Sequence, residues 1–392
     1  MSPMSEESHS GNGWKSTDAN ADKDAVSPAC GSERDGTRRV APKRMLLVLP
    51  KWVGDLVMAT PALRSLRDRF ADTHITGLVR RPLGEVLSGG DWLDDLIYWP
   101  QGGSKPRRRQ GFLGLAGELR DQRFDVAILF ANSFRSAMLA RLAGIRRRIG
   151  YDREGRGLLL TDKLLPYKFD GKYVPAPMVG YYNALARYLG CRDCPTQTEL
   201  CTTPEQEKIA ADAIEAAGVR ASQPIVVLNP AASFGPAKCW LPERFAEVAD
   251  RLVTDNDAAV FISCGPKEVA IARKVAGSMK KSVTVLDSPV MRLGPLKALI
   301  RRAALLITND TGPRHFANAF GRPVVTIFGP TDPQWTIADA PLERSLMVSV
   351  DCGPCMKRNC PQDHRCMTLI DTKMVLACAQ ELLSGRQATT VS

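Results

Sequence analysis

Three short stretches of this 392-residue chain carry the residue types needed to pass a group between two molecules. The first is WVGDLVMATPAL, where Gly54 permits a tight turn and Asp55 falls where a helix would begin. A carboxylate there either caps the helix or acts as a base that takes a proton from an acceptor hydroxyl. The second is NPAASFGPAKCWLPERF, in which Ala231, Ala232 and Ser233 are small enough for a ligand to approach backbone amides and Lys238 adds a cation. That combination suits a diphosphate, and its plain alternative is a polar loop with an exposed lysine. The third is LLITNDTGPRHFANAFGRPVVTIFGPTDP, which sets Asp310, Thr311 and Gly312 between a strand and a helix and His315 one turn further on. Free amides at such a helix start point at a ligand; without one, Asp310 or Thr311 is a cap and His315 a packed imidazole. The run Asp255 to Asp257 has the carboxylates of a metal triplet, but its turn composition reads as a solvated loop.

A fourth stretch, CGPCMKRNCPQDHRCM, gathers Cys352, Cys355, Cys360 and Cys366 with His364 beside the last. Four thiolates so close can close a tetrahedral shell around structural zinc, and the first pair has the usual two-residue gap. The later gaps are shorter than in common zinc modules, an iron–sulfur cluster also takes four cysteines, and reduced thiols packing a loop or disulfides formed on oxidation complete the choices. In each case the expectation is a structural clamp on the C-terminal loop, away from group transfer. The chain has 11 cysteines, an odd number, and no secretory signal, which argues against a disulfide framework.

Positioning these stretches requires strands that end where the loops begin. Apolar runs of strand length alternate with amphipathic helical segments, which predicts parallel sheets with crossover helices. In the first half the strands are RMLLVLP, HITGLVR, DLIYW and DVAILF, with a helix over LVMATPALRSLRDRF and another from Val179 to Leu189. Arginine and glycine dominate IRRRIGYDREGRG, which reads as loop. The pattern restarts with PIVVLNP, AAVFISCG, VTVLD, LLITND and PVVTIFG, and helices over PERFAEVADRL and LGPLKALIRRA; a last helix near DTKMVLACAQELL could pack on either half. The organisation expected is a tail over 1–42, a first α/β domain over 43–200, a linker over 201–222 and a second α/β domain over 223–386. Two doubly wound halves then face a central cleft, with ligands at the carboxyl ends of the strands.

Net charge is +11, which points to an anionic partner. The charge is clustered, notably at Arg80 and Arg81, at Arg146 to Arg148, and in KPRRR, where Arg107, Arg108 and Arg109 are candidates for acceptor contact. No zinc-finger, helix-turn-helix or aromatic RNA-binding signature accompanies them, so nucleic acid is not the expected partner. No apolar run approaches the roughly 18 residues of a membrane span, so the expected location is cytoplasmic.

Taken together, GDLVMATPAL, FGPAKCW and NDTGPRHFANAFGRPVVTIFGPTDP resemble, in order and spacing, the ADP-heptose:lipopolysaccharide heptosyltransferase family, over about Lys43 to Leu383. The CGPCMKRNCPQDHRCM stretch is similar to the C-terminal segment of heptosyltransferase II members. The resemblance implies a GT-B fold with an N-terminal acceptor domain and a C-terminal donor domain. It implies inverting, single-displacement transfer of heptose from ADP-heptose to lipopolysaccharide inner core, with no metal required at the reacting centre. By motif position it implies Asp55 as general base, Lys238 as donor phosphate ligand, Asp310 as a contact to heptose hydroxyls, and Thr311 and Gly312 at phosphate-binding positions. His315 matches the histidine of that motif and Glu268 the acidic residue that binds the donor nucleoside. Ala231 and Ala232 depart from the pattern, since the family's phosphate loop often carries hydroxyls there. A glycolipid acceptor implies peripheral contact with the inner membrane surface. The alternatives are a GT-B-type nucleotide-sugar epimerase and a non-catalytic nucleotide-sugar or glycolipid binding protein; retention of both Asp55 and Lys238 argues for turnover.

Overall fold

A computed structural model describes residues 41–100, 111–337 and 339–385. The first half folds around β1 (Arg44–Val48), β2 (His74–Val79), β3 (Asp95–Tyr98), β4 (Val126–Leu129), β5 (Arg147–Tyr151) and β6 (Asp162–Leu164), in the order β3-β2-β1-β4-β5-β6. A small antiparallel hairpin, β7 (Lys168–Phe169) and β8 (Lys172–Tyr173), follows. The second half uses β9 (Ile225–Asn229), β10 (Ala259–Ile262), β11 (Thr284–Val285), β12 (Leu305–Asn309), β13 (Val324–Ile327) and β14 (Glu343–Leu346), in the order β11-β10-β9-β12-β13-β14. The two sheets have one topology: β9 stands where β1 stands, and β12 where β4 stands. All of their pairings are parallel, and the central strands are mainly apolar because helices cover both faces, with Asn229, Thr308 and Asn309 at the carboxyl ends of β9 and β12.

The helices are α1 (Val53–Met58), α2 (Thr60–Arg69), α3 (Arg81–Leu87), α4 (Phe112–Asp121), α5 (Phe134–Leu142) and α6 (Met178–Tyr188) in the first half. Next come α7 (Pro204–Ala216), α8 (Pro242–Asn256), α9 (Val269–Ser278), α10 (Leu293–Arg302), α11 (Gly312–Ala319), α12 (Arg365–Thr368) and α13 (Thr372–Leu383). No helix among the described residues is long and apolar enough to cross a membrane. The architecture is the expected α/β, GT-B arrangement, but several elements differ from expectation. The helix read as continuous over LVMATPALRSLRDRF breaks at Ala59, because Pro61 has no N–H to continue the ladder and sits in the first turn of α2 instead. The arginine-rich stretch read as loop contains β5. Its Arg147 pairs with Asp162, and Arg148 donates to the carbonyls of Ile145, Arg146 and Leu159, so the long polar side chains fold back on the sheet. The segment 201–222 holds α7, begun by a capping box between Thr203 and Gln206. The last helix, α13, packs on α8 and the second sheet.

The two halves touch through α1 against α11 and α3 against α10. At the first contact the fit depends on glycines. A Cβ on Gly54 would stand 2.7 Å from the His315 ring, and one on Gly312 would stand 2.6 Å from Val53. At the second contact, Lys297 is fully buried and its Nζ donates to the carbonyls of Val86 at 2.9 Å and Ser88 at 2.8 Å, at the end of α3. Burial lowers this amine's pKa to about 8.

Candidate active site

Each first strand delivers one chemical group to the seam between the halves. After β1, the chain enters α1 with Trp52 at the N-cap and Asp55 in the first turn. No side chain caps this helix, so the capping alternative for Asp55 finds no bond to support it. Its carboxylate meets the Tyr182 hydroxyl from α6. Burial raises the Asp55 pKa to about 6, against the opposing pull of Tyr182, Lys51 and, from the other half, Lys238. Tyr182 is buried and held well above its ordinary pKa, chiefly by burial, so it donates a hydrogen bond without ionising.

After β9, residues 230–235 lead into a short turn, Pro236–Lys238, that ends on the cation. Lys238 Nζ donates to Asp310 Oδ2 at 2.6 Å and to the Asp310 carbonyl at 2.9 Å. Asp310 also accepts from Thr331 at 2.8 Å on Oδ2 and from Arg314 at 3.2 Å on Oδ1. Burial would raise the Asp310 pKa, but Lys238 and Arg314 outweigh it and keep the carboxylate ionised. Oδ1 has one donor among the described residues, Arg314, where Oδ2 has two. Arg314 in turn pairs with Glu343 on β14 and bonds Thr336, locking the loop after β13 to the same network.

Thr311 is the N-cap of α11, but its hydroxyl accepts from Asn229 at 2.9 Å and caps nothing. Pro313 has no N–H and the Arg314 amide donates to the Thr311 carbonyl at 3.2 Å, so of the first three positions Gly312 carries the amide without a partner among the described residues. His315 is buried against Gly54, and burial, then Arg314, lowers its pKa to about 4. It is a neutral imidazole packed between the halves. Glu268 lies beside the second loop, accepting from Gly265 N at 2.8 Å and Ser233 Oγ at 3.0 Å. Ala231 and Ala232 are buried and pack, leaving Ser233 as the exposed residue of that trio. Arg107, Arg108 and Arg109 lie outside the described residues. Asp255 pairs with Arg251, and Asp257 pairs with Arg220 while ending α8 in a left-handed conformation, so the acidic triplet is a solvated helix end.

Cys352, Cys355, Cys360 and Cys366 line one pocket of about 70 Å³. They do not form the expected metal shell as they stand: among the described residues no three His, Cys, Asp or Glu side chains gather to hold an ion. Cys352 is exposed, Cys366 is buried on α12, and His364, which lines the same pocket, has its Nε2 engaged with the Ala237 carbonyl at 2.8 Å. The segment is not remote from the site either. Arg358 O accepts from Ala237 N at 3.0 Å, and Met356 N donates to Pro330 O at 2.8 Å, so it clasps the loop that carries Lys238. Sequence reading missed Tyr182, which looks like any aromatic on a helix core face. It also missed Asn309, which joins the second and third loops by accepting from Trp240 N and donating to Pro230 O.

Two Rossmann-like sheets that bring a carboxylate from one half and a cation from the other to a common seam define a group-transfer enzyme of the GT-B type. The chain belongs to glycosyltransferase family 9 (heptosyltransferase), which matches residues 112–365. Lipopolysaccharide heptosyltransferase 2 of Escherichia coli K12 is 29% identical over 315 residues, covering 75% of this chain and 84% of that protein. Lipooligosaccharide heptosyltransferase 2 of Campylobacter jejuni (serotype O:2) is 26% identical over 354 residues, 87% of this chain and 99% of that protein. Among solved structures, E. coli ADP-heptose lps heptosyltransferase II superposes with a TM-score of 0.71 at 25% identity, covering 88% of this chain and 100% of that one.

The glycine contact between the halves makes a direct prediction. Gly54→Ala drives a methyl into the buried His315 ring, so it is expected to separate base from cation and lower turnover by about tenfold or more without unfolding the chain. Adding His315→Ala is expected to restore part of the loss; full activity of the single variant removes the contact from catalysis.

Proposed function

We propose that this glycosyltransferase transfers a heptose from ADP-heptose to the inner core of lipopolysaccharide with inversion, on the cytoplasmic face of the inner membrane. The observation that carries the reading is the meeting of the loops of Asp55 and Lys238: α1 packs on α11 through Gly54 against His315 and Val53 against Gly312, and Lys238 is bound to Asp310 just before α11. Asp55 takes the proton of an acceptor hydroxyl as its oxygen bonds the anomeric carbon. The bond from that carbon to the diphosphate oxygen breaks, and ADP leaves with the electron pair. Lys238 and the Gly312 amide at the start of α11 receive the growing negative charge. Thr311 and Gly312 hold phosphate, Asp310 a heptose hydroxyl, and Glu268 the nucleoside. A single displacement needs one carboxylate at the reacting carbon, and Asp310, neutralised by two cations, is no second nucleophile. Arg107, Arg108 and Arg109 add positive charge for the phosphates and acidic sugars of the acceptor. The domains divide the work, acceptor on 43–200 and donor on 223–386. Transfer draws on the chain's own groups; a zinc on the four cysteines, if about one equivalent is found in protein purified without chelator, serves the fold.

The test is ADP release from ADP-heptose with and without purified inner-core acceptor. Release that depends on acceptor, with a heptosylated product by mass, is expected. Acceptor-independent isomerisation or hydrolysis of the donor overturns the reading in favour of an epimerase.

A further inference from the structure

The ribbon that follows β6 presents an apolar and basic face that nothing in the described fold covers. From Lys163 to Phe169 alternate residues point outward, as the period of two along extended chain requires. Leu165, Tyr167 and Phe169 are 71%, 66% and 75% exposed, and Leu158 close by in the chain is 95% exposed. Lys163 and Lys172, the latter the cross-strand partner of Phe169, are exposed on that face, and Lys168 is exposed on the reverse of the hairpin beside Tyr173, against one exposed carboxylate in this stretch, Asp170, at the turn. Contiguous large apolar side chains in water mark a surface in use. The ribbon also borders the acceptor side of the base. The Arg153 guanidinium lies 3.9 Å over the Tyr173 ring and reaches Tyr181, Tyr181 stands edge-on to Tyr182 at 5.7 Å between centroids, and Tyr182 bonds Asp55.

We infer that this ribbon seats the enzyme on an anionic lipid bilayer, with Leu165, Tyr167 and Phe169 among the headgroups and Lys163 and Lys172 against their phosphates. Exposed apolar side chains with lysines beside them suit a fluid anionic interface, where burial and charge attraction add. The inference rests on the reading that the acceptor is lipid-anchored, and it places that acceptor's sugars beside Asp55.

Flotation of the full chain with vesicles tests it. Vesicles of phosphatidylcholine with about 30% phosphatidylglycerol are expected to carry the protein, pure phosphatidylcholine much less, and about 0.5 M salt to release it. Leu165→Ser/Tyr167→Ser/Phe169→Ser is expected to bind anionic vesicles on the order of tenfold more weakly. The same variant keeps ADP affinity, melting temperature and transfer to a delipidated acceptor. Lys163→Gln/Lys172→Gln loses the salt-sensitive part of binding. Unchanged vesicle binding by the apolar variant overturns the inference, as does failure of the native chain to float. Self-association that this variant abolishes also overturns it, in favour of a second copy on this face. Vesicle binding without transfer to any acceptor sinks the functional reading and leaves the surface standing.

Discussion

Asp55→Asn is expected to lower turnover by roughly 10²–10⁴-fold, the usual contribution of a positioned general base. ADP affinity stays within about twofold, because the carboxylate acts on the acceptor side. In the native enzyme, turnover is expected to rise with pH through about 6, where burial has placed this carboxylate's titration. The Asn variant lacks that limb. Stability moves the other way. The folded pKa, about 6, lies above the ordinary 3.8, so the folded state holds this proton more tightly. The resulting stabilisation is complete below the unfolded value and is lost as pH rises through the folded one. Asn imitates the protonated form, so the variant is expected to melt no lower than the native chain at neutral pH. A variant that melts lower and retains turnover would falsify the base assignment and leave Asp55 as a helix-start carboxylate.

Lys238→Ala is expected to weaken ADP binding by about 10- to 100-fold, since a charge-assisted contact in a partly desolvated site is worth roughly 1.5–3 kcal/mol. Turnover falls further, because the charge on departing ADP then rests on the Gly312 amide alone. The same ammonium holds Asp310 at 2.6 Å, so the variant also loses a buried ion pair and is expected to melt lower. Arg314 still neutralises Asp310, which keeps the loss short of unfolding. Titration of ADP into the folded variant decides the matter: affinity within about twofold of native means that the diphosphate is held elsewhere.

The sheets were legible because their central strands, such as MLLV in β1 and IVVLN in β9, are unbroken apolar runs bounded by turn residues. The loops that carry Asp55, Lys238 and Asp310 were legible for a related reason: small residues and a charge between strand and helix leave few other roles. What stayed hidden depends on contacts across the fold. The arginines of β5 look like loop until their guanidinium partners are known. Tyr182 matters only because α6 lies beside α1. In the cysteine-rich segment the clustering was visible, but the bond from His364 to Ala237 joins residues more than a hundred positions apart. Asp310 shows the same limit, since its motif position gives no sign that Lys238, Arg314 and Thr331 already share its oxygens.

The burial of Lys297 bears on how the two halves keep their alignment. A joint between two lobes can be cemented with greasy surface, which tolerates sliding, or with a charge held by carbonyls, which does not. This joint uses both: Leu83, Val86 and Leu87 share one apolar cluster with Leu296, Leu299 and Ile300, and beside them the ammonium gives up its hydration to grip the end of α3. The greasy surface supplies adhesion and the charge supplies registration, since a slipped joint would leave an ammonium buried without its carbonyls.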